Sequence, residues 1–141
     1  MWQNIEFEVR DNGVALLTLN RPEAMNAFSE NLLRDMYQVL KVIRESDEIK
    51  VLVITGKGKA WSAGGDINGL LGGPQTAIEA KTQYDFSTNM IGEVYGLQIP
   101  VIAAVNGAVA GAATSFMMAC DLIVASEKAR FGFNFINIGL C

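Results

Sequence analysis

Two segments built of glycine, alanine and other small residues carry the most chemistry in this chain of 141 residues. Gly56–Asp66 reads GKGKAWSAGGD, and Asn106–Thr114 reads NGAVAGAAT. Small side chains leave backbone N–H groups little shielded, and at the start of a helix those groups have no intrahelical partner. Two such donors converging on one oxygen stabilise negative charge that develops on a carbonyl, the principle of an oxyanion hole. Plain helix packing, where Gly and Ala let backbones approach closely, is the simpler reading of the second segment taken alone.

Much other chemistry is excluded. The sequence has no histidine, which closes off Ser-His-Asp and Cys-His nucleophile systems, imidazole acid–base catalysis and histidine metal sites. Ser62 and Ser115 lack a G-x-S-x-G frame. Gly56–Asp66 fits no phosphate loop: neither lysine is followed by Ser or Thr, and Trp61 stands at the third glycine of G-x-G-x-x-G. Cys120 and Cys141 cannot form a four-thiolate zinc site, so no metal is expected. They read as a buried and a terminal thiol of a reducing compartment, which suggests the cytoplasm. A net charge of −4, from 11 basic and 15 acidic residues, argues against nucleic acid as a partner, and no basic stripe is longer than Lys57-Gly58-Lys59.

The elements that must position the two segments follow from periodicity. Ile5–Val9 alternates apolar and acidic residues, Asp11-Asn12-Gly13 is turn chemistry, and Val14–Leu19 follows, so the chain opens with a hairpin. Ser29 is a good N-cap for a helix to about Ser46, with Leu32, Leu33, Met36, Leu40 and Ile43 on its apolar face. Val51–Ile54 is a continuous aliphatic run, the mark of a strand covered on both faces. Thr76–Leu97 predicts a second helix with Tyr84, Met90, Ile91 and Val94 in the core. Val101–Val105 predicts a strand and Gly111–Cys120 a small-residue helix. Leu122–Ala125 and Phe131–Phe133 predict two closing strands. The order ββα-β-α-β-α-ββ implies an α/β sheet with crossover helices and one domain. Val94–Cys120 has no charged residue, but Gln98, Pro100, Asn106, Gly107 and Gly111 break it up, which argues against a membrane span.

Charge is uneven along the chain. Residues 1–66 hold 18 charged side chains and residues 67–141 hold 8. The second half has the composition of an interior, and its last apolar run reaches Cys141 without a polar tail. Leu122–Val124 and an apolar face of Phe131, Phe133, Phe135, Ile136 and Ile138 are expected to need a covering partner or a further segment.

Three blocks resemble the enoyl-CoA hydratase/isomerase (crotonase) family. They are NRPEAMNAFS at Asn20–Ser29, GKGKAWSAGGDI at Gly56–Ile67 and PVIAAVNGAVAGAATSFMMACDLIVASEKARFG at Pro100–Gly132, and they span almost the whole chain in the family's order. The resemblance implies an α/β fold of stacked ββα units, with residues 1–141 as the N-terminal part of one crotonase-like acyl-CoA-binding domain. The fold would be truncated before the C-terminal helices that normally close the acyl pocket and build a trimer or hexamer. It implies an acyl-CoA thioester substrate of fatty-acid-type metabolism, with no cofactor beyond the CoA of that substrate.

Matched residue by residue, the implied oxyanion donors are the N–H of Gly65 and the N–H of Ala112, where the family usually has glycine. Ala24 and Ala63 fall where the family contacts the CoA adenosine and pantetheine, and Asp66, Ile67 and Asn68 continue the acyl-CoA segment. Arg21, Lys57 and Lys59 are candidates for CoA phosphate contacts, although solvated loop charges are the simpler reading. The two glutamates that hydratases of the family use correspond to Ser115 and Phe135. Some family isomerases need one base only, an aspartate just after a Gly-Leu-x-Pro stretch, and this chain ends at Gly139-Leu140-Cys141. The resemblance thus favours double-bond isomerisation over hydration. An acyl-CoA-binding module without catalysis and an inactive fragment are the alternatives.

Overall fold

The computed structural model describes residues 2–66 and 76–138. The hairpin forms as β1 (Ile5–Val9) and β2 (Val14–Leu19), paired antiparallel. Asn12 Oδ1 accepts from Val14 N at 3.2 Å, the side-chain bond that suits Asn to turns. A 3-10 turn over Pro22–Ala24 leads to α1 (Glu30–Arg44). Ser29 caps that helix in extended conformation, its hydroxyl accepting from Leu32 N at 3.3 Å. Leu32, Leu33, Met36, Leu40 and Ile43 are all buried, as their spacing requires, and Val39 joins them.

β3 (Val51–Gly56), β4 (Ala60–Ser62), α2 (Ala77–Tyr95), β5 (Val101–Val105), β6 (Ala108–Ala110), α3 (Ala112–Met118), β7 (Leu122–Ala125) and β8 (Arg130–Gly132) complete the order, followed by a 3-10 stretch over Asn134–Ile138. Five strands form one sheet in the order β1-β2-β3-β5-β7, and β4-β6-β8 form a second. Every pairing beyond the hairpin is parallel. Each successive strand pair places its first member in the larger sheet and its second in the smaller one. This is the stacked ββα arrangement that the resemblance implied.

The core lies between the larger sheet and its helices. Leu17, Leu19, Leu52, Ile54, Val101, Ala103 and Val105 are buried there with Met36, Leu40, Trp61 and Phe116. Burial alternates along β3, where Val51 and Val53 are only partly buried, so the run is covered fully on one face rather than on both. Among the described residues no helix is long and apolar enough to cross a membrane. The uncharged stretch Val94–Cys120 divides into the end of α2, β5, β6 and α3.

Two short strands depart from the expected order. β4 and β6 are three residues each, inside segments that read as loop and turn. The last strand forms one residue earlier than expected, and β8 pairs only with Ala108, Val109 and Ala110 of β6. The chain enters α3 directly after Gly111, so the ladder has no further partner there, and residues 134–138 coil as a 3-10 stretch. Part of the expected apolar face is present, and the side chain of Ile138 lies outside the described residues. Phe131, Phe133 and Ile136 are exposed, as are Leu122, Ile123 and Val124. Phe135 is partly buried beside Phe133, with ring centroids 6.5 Å apart.

Cys120 is the buried thiol that the sequence suggested. Burial pushes its pKa from an ordinary 9.0 up to about 12, and the charge of Asp121 adds to the effect. The neutral thiol is therefore favoured in the folded chain. This contribution to stability is whole below pH 9.0 and is lost as pH rises towards about 12, because the unfolded thiol ionises first. Cys120 should resist alkylation in the native protein at neutral pH and react on unfolding, as peptide mass mapping would show.

Candidate active site

One buried asparagine ties the segment after β2 to the segment around β4. Asn26 is fully buried with φ 55°, a left-handed backbone that Asn tolerates better than most residues. Its Oδ1 accepts from Arg21 N at 2.8 Å, and its Nδ2 donates to Lys57 O at 3.0 Å and Ala60 O at 2.8 Å. Ser62 Oγ donates to Asn26 O at 2.8 Å and accepts from Gly64 N at 3.2 Å. A short backbone ladder continues the seam. Ala63 N donates to Met25 O, Phe28 N to Gly64 O and Asp66 N to Phe28 O, at 2.9, 2.7 and 3.3 Å. Phe28 and Gly65 thus face each other across a parallel bridge. The neighbours of Gly65 on both sides are bonded, while its own N–H has no partner among the described residues.

Ala112 is the first residue of α3, so its N–H has no intrahelical acceptor. Its frame is fixed by Gly132 O, which accepts from Gly111 N at 2.9 Å and from Thr114 Oγ1 at 3.2 Å. Gly64, at φ +87°, lies directly against this junction. A Cβ on Gly64 would lie 3.1 Å from Ala112 N and collide with Ala110 O, so only glycine lets the two segments meet.

Gly65 and Ala112 line one small pocket of about 50 Å³, with Phe28, Leu33, Met90, Ile91 and Phe116 completing its walls. Phe116 stands one turn beyond Ala112, edge-on to Phe28 at 5.6 Å and beside Trp61 at 6.0 Å. Trp61 is held in turn by its Nε1–H bond to Ile54 O at 3.0 Å. No ionisable side chain lines the pocket among the described residues. A backbone donor that faces an apolar cavity acts in a low local dielectric, where a developing charge feels it far more than in water.

The other candidates fall into place around this pair. Ala24, partly buried, ends the 3-10 turn just before Met25, whose carbonyl accepts from Ala63 N, so Ala24 and Ala63 stand on neighbouring segments. Ile67 and Asn68 lie outside the described residues. Asp66 turns its carboxylate onto Arg21, with Nη1 and Oδ2 3.1 Å apart. Arg21 is therefore not a solvated loop charge: it is partly buried, and the same Nη1 also donates to Ala27 O at 2.8 Å. Lys57 pairs with exposed Glu6 and Lys59 is exposed, which fits solvated loop charges.

Ser115 sits on α3 three residues past Ala112, and the ring of Phe135 lies 3.9 Å from where a Cβ on Gly111 would stand. Neither lines the pocket. Glu93 belongs to a separate cleft of about 450 Å³ with Tyr37, Thr88 and Asn89. Its carboxylate is paired with Arg44, whose Nη2 donates to Glu93 O at 2.8 Å. Asn26, Phe28 and Trp61, on which the site is built, carry no sequence pattern that marks them for it. Asn at a turn is a signal for left-handed backbone, but nothing local announces its partners.

Residues 9–141 match the enoyl-CoA hydratase/isomerase family. The chain belongs to that family. Among relatives, the trans-2-decenoyl-[acyl-carrier-protein] isomerase of Streptococcus mutans is 36% identical over 138 residues, covering 92% of this chain and 50% of that protein. The hydroxycinnamoyl-CoA hydratase-lyase of Pseudomonas fluorescens is also 36% identical, covering 99% of this chain and 51% of the relative. Among solved structures, an enoyl-CoA hydratase of Mycobacterium smegmatis superposes with a TM-score of 0.93 at 32% identity, over 98% of this chain and 53% of that one. The chain spans about half the length of the curated relatives it matches. Their names include both isomerase and hydratase, so family membership by itself leaves the reaction open.

Proposed function

We propose that this protein binds an enoyl-CoA thioester and stabilises its enolate with the N–H groups of Gly65 and Ala112, shifting a double bond rather than adding water. The observation that carries the reading is that Gly65 and Ala112, whose amides have no partner among the described residues, line one apolar pocket. Moving a double bond from C3 to C2 removes a proton from C2 and returns one to C4. The negative charge between those steps resides on the thioester oxygen, where two backbone donors serve it, and a single base can carry the proton. No group for that proton is assigned within this chain. No cofactor is required beyond the CoA of the substrate, and the buried Cys120 thiol suits a reducing, cytoplasmic setting.

Binding without turnover is the second reading, favoured by the lack of an ionisable side chain in the described pocket wall. Calorimetric titration with a non-reactive acyl-CoA, paired with a turnover assay on a 3-enoyl-CoA, separates the two. Saturable binding with turnover is the expected result. Binding without turnover selects the module, and no binding removes both readings.

We propose further that the apolar face of β7 and β8 is covered in a homotrimer or hexamer. Leu122, Val124, Phe131, Phe133 and Ile136 are each more than half exposed, between 52% and 82%, and large exposed apolar side chains grouped at one end of a chain mark a surface that is covered in an assembly. Light scattering of the 141-residue chain should report self-association that Phe133→Asp and Ile136→Asp reduce. A stable, cooperatively unfolding monomer would overturn this.

A further inference from the structure

We propose that the Arg21–Asp66 ion pair is the positioning device for the Gly65 amide, an inference that rests on the enolate-stabilising reading above. Arg21 Nη1 bonds Asp66 Oδ2 at 3.1 Å and Ala27 O at 2.8 Å, with the two side chains only 19% and 17% exposed. One guanidinium thus ties the residue just after Gly65 to the residue just before Phe28. Phe28 in turn accepts from Asp66 N and donates to Gly64 O.

The root of Arg21 is equally fixed. Its N–H donates to Asn26 Oδ1 at 2.8 Å, and its carbonyl accepts from Ala24 N at 3.0 Å and Asn26 N at 2.8 Å. Exposed ion pairs contribute little, but this one is mostly shielded from water and shares its donor with a carbonyl. Gly65 has no side chain to fix the direction of its own N–H. That direction is set from outside, by Gly64 held on Ser62 and by Asp66 held on Arg21. An oxyanion donor acts only when aimed before the charge develops, and a misplacement of about 1 Å can cost about 10²-fold in rate. Neither Arg21 nor Asp66 lines the pocket, so their effect is expected on turnover rather than on substrate affinity.

The test compares Arg21→Met, Asp66→Asn, their double variant and Arg21→Lys in the protein as encoded. The readouts are kcat, acyl-CoA affinity and the infrared carbonyl stretch of a bound, non-reactive acyl-CoA labelled at the thioester carbon. Unaltered protein should lower the stretching frequency. Arg21→Met and Asp66→Asn should each lose most of that shift and lower kcat about tenfold or more, with affinity changed less than about threefold. The double variant should be no worse than the singles, since both break one device, and Arg21→Lys should recover part of the shift. Asp66→Asn keeps the side-chain shape and decides the matter if Arg21→Met does not fold.

An unchanged shift with weaker CoA binding would make Arg21 a phosphate contact and overturn the proposal, as would additive losses in the double variant. Ala112→Pro runs alongside as the control for the underlying reading, because it removes the other donor without touching this brace. If Ala112→Pro abolishes the shift while the Arg21 and Asp66 variants keep it, only the positioning proposal falls. If Ala112→Pro changes nothing, the enolate reading itself falls.

Discussion

Replacing Gly65 with proline should lower turnover of an enoyl-CoA by about 10²–10³-fold, the loss typical of deleting one oxyanion donor. Proline removes the N–H, holds φ at about −65° and restricts the residue before it. The Gly65 N–H makes no bond among the described residues, so no hydrogen bond among them is lost with it. Gly65 is also not one of the positive-φ glycines, so the proline ring does not meet a left-handed backbone. Ala112→Pro tests the second donor under still better conditions, because the first position of a helix is where proline is favoured. Both variants should unfold at temperatures close to the parent, checked by circular dichroism, while steady-state assays report the lost rate. Full turnover in either variant, with intact folding, would end the oxyanion reading. A loss confined to KM would mean that the donor binds ground state and transition state alike.

How far the sequence reveals this site depends on which residues are asked. The hairpin, α1 and its Ser29 cap, β3 and β5 are legible because their apolar residues repeat with period 2 or 3.6 over several residues. β4 and β6 are not, because three residues carry no period. Their strand character comes from β4 pairing with β6 and β6 with β8, contacts made at long range. Trp61 shows the same limit. Within GKGKAWSAGG it reads as a loop residue, yet it is fully buried, since the small residues around it leave room for the second sheet to pack close. The ββα repeat is likewise hidden in the sequence, where the three strand pairs share no common pattern, and visible at once in the strand order of the two sheets.

The choice of Gly65 and Ala112 as candidates was legible in the small residues of their segments, and both line one pocket. The pairing of Arg21 with Asp66 was not. The two are far apart in the chain, and an arginine beside proline in a loop carries no sign of the partner it will meet. The resemblance puts Asp66 among the acyl-CoA contacts and Arg21 near phosphates, and in the folded chain the two also pair with each other.

Hydration of a 2-enoyl-CoA should run about 10²–10⁴-fold below isomerisation of a 3-enoyl-CoA, the range by which loss of one general acid or base lowers a rate. Adding water needs a base to deprotonate it and an acid to protonate C2, and both must reach the substrate at once. The two positions that the family resemblance assigns to those groups hold Ser115 and Phe135. A serine hydroxyl is far too weak a base near neutral pH, and a phenyl ring has no proton to give or take. The carboxylates nearest in role are also occupied. Asp66 is paired with Arg21, and Glu93 is paired with Arg44 in a different cleft. Isomerisation asks less, because one base can take the C2 proton and return it to C4 while the backbone donors hold the charge. Installing glutamate at both positions, Ser115→Glu with Phe135→Glu, should raise hydration relative to isomerisation, measured as loss of the enoyl absorbance against formation of the conjugated thioester. Robust hydration by the unaltered protein would sink the assignment. It would place an acid and a base in the site that neither Ser115, Phe135, Asp66 nor Glu93 provides.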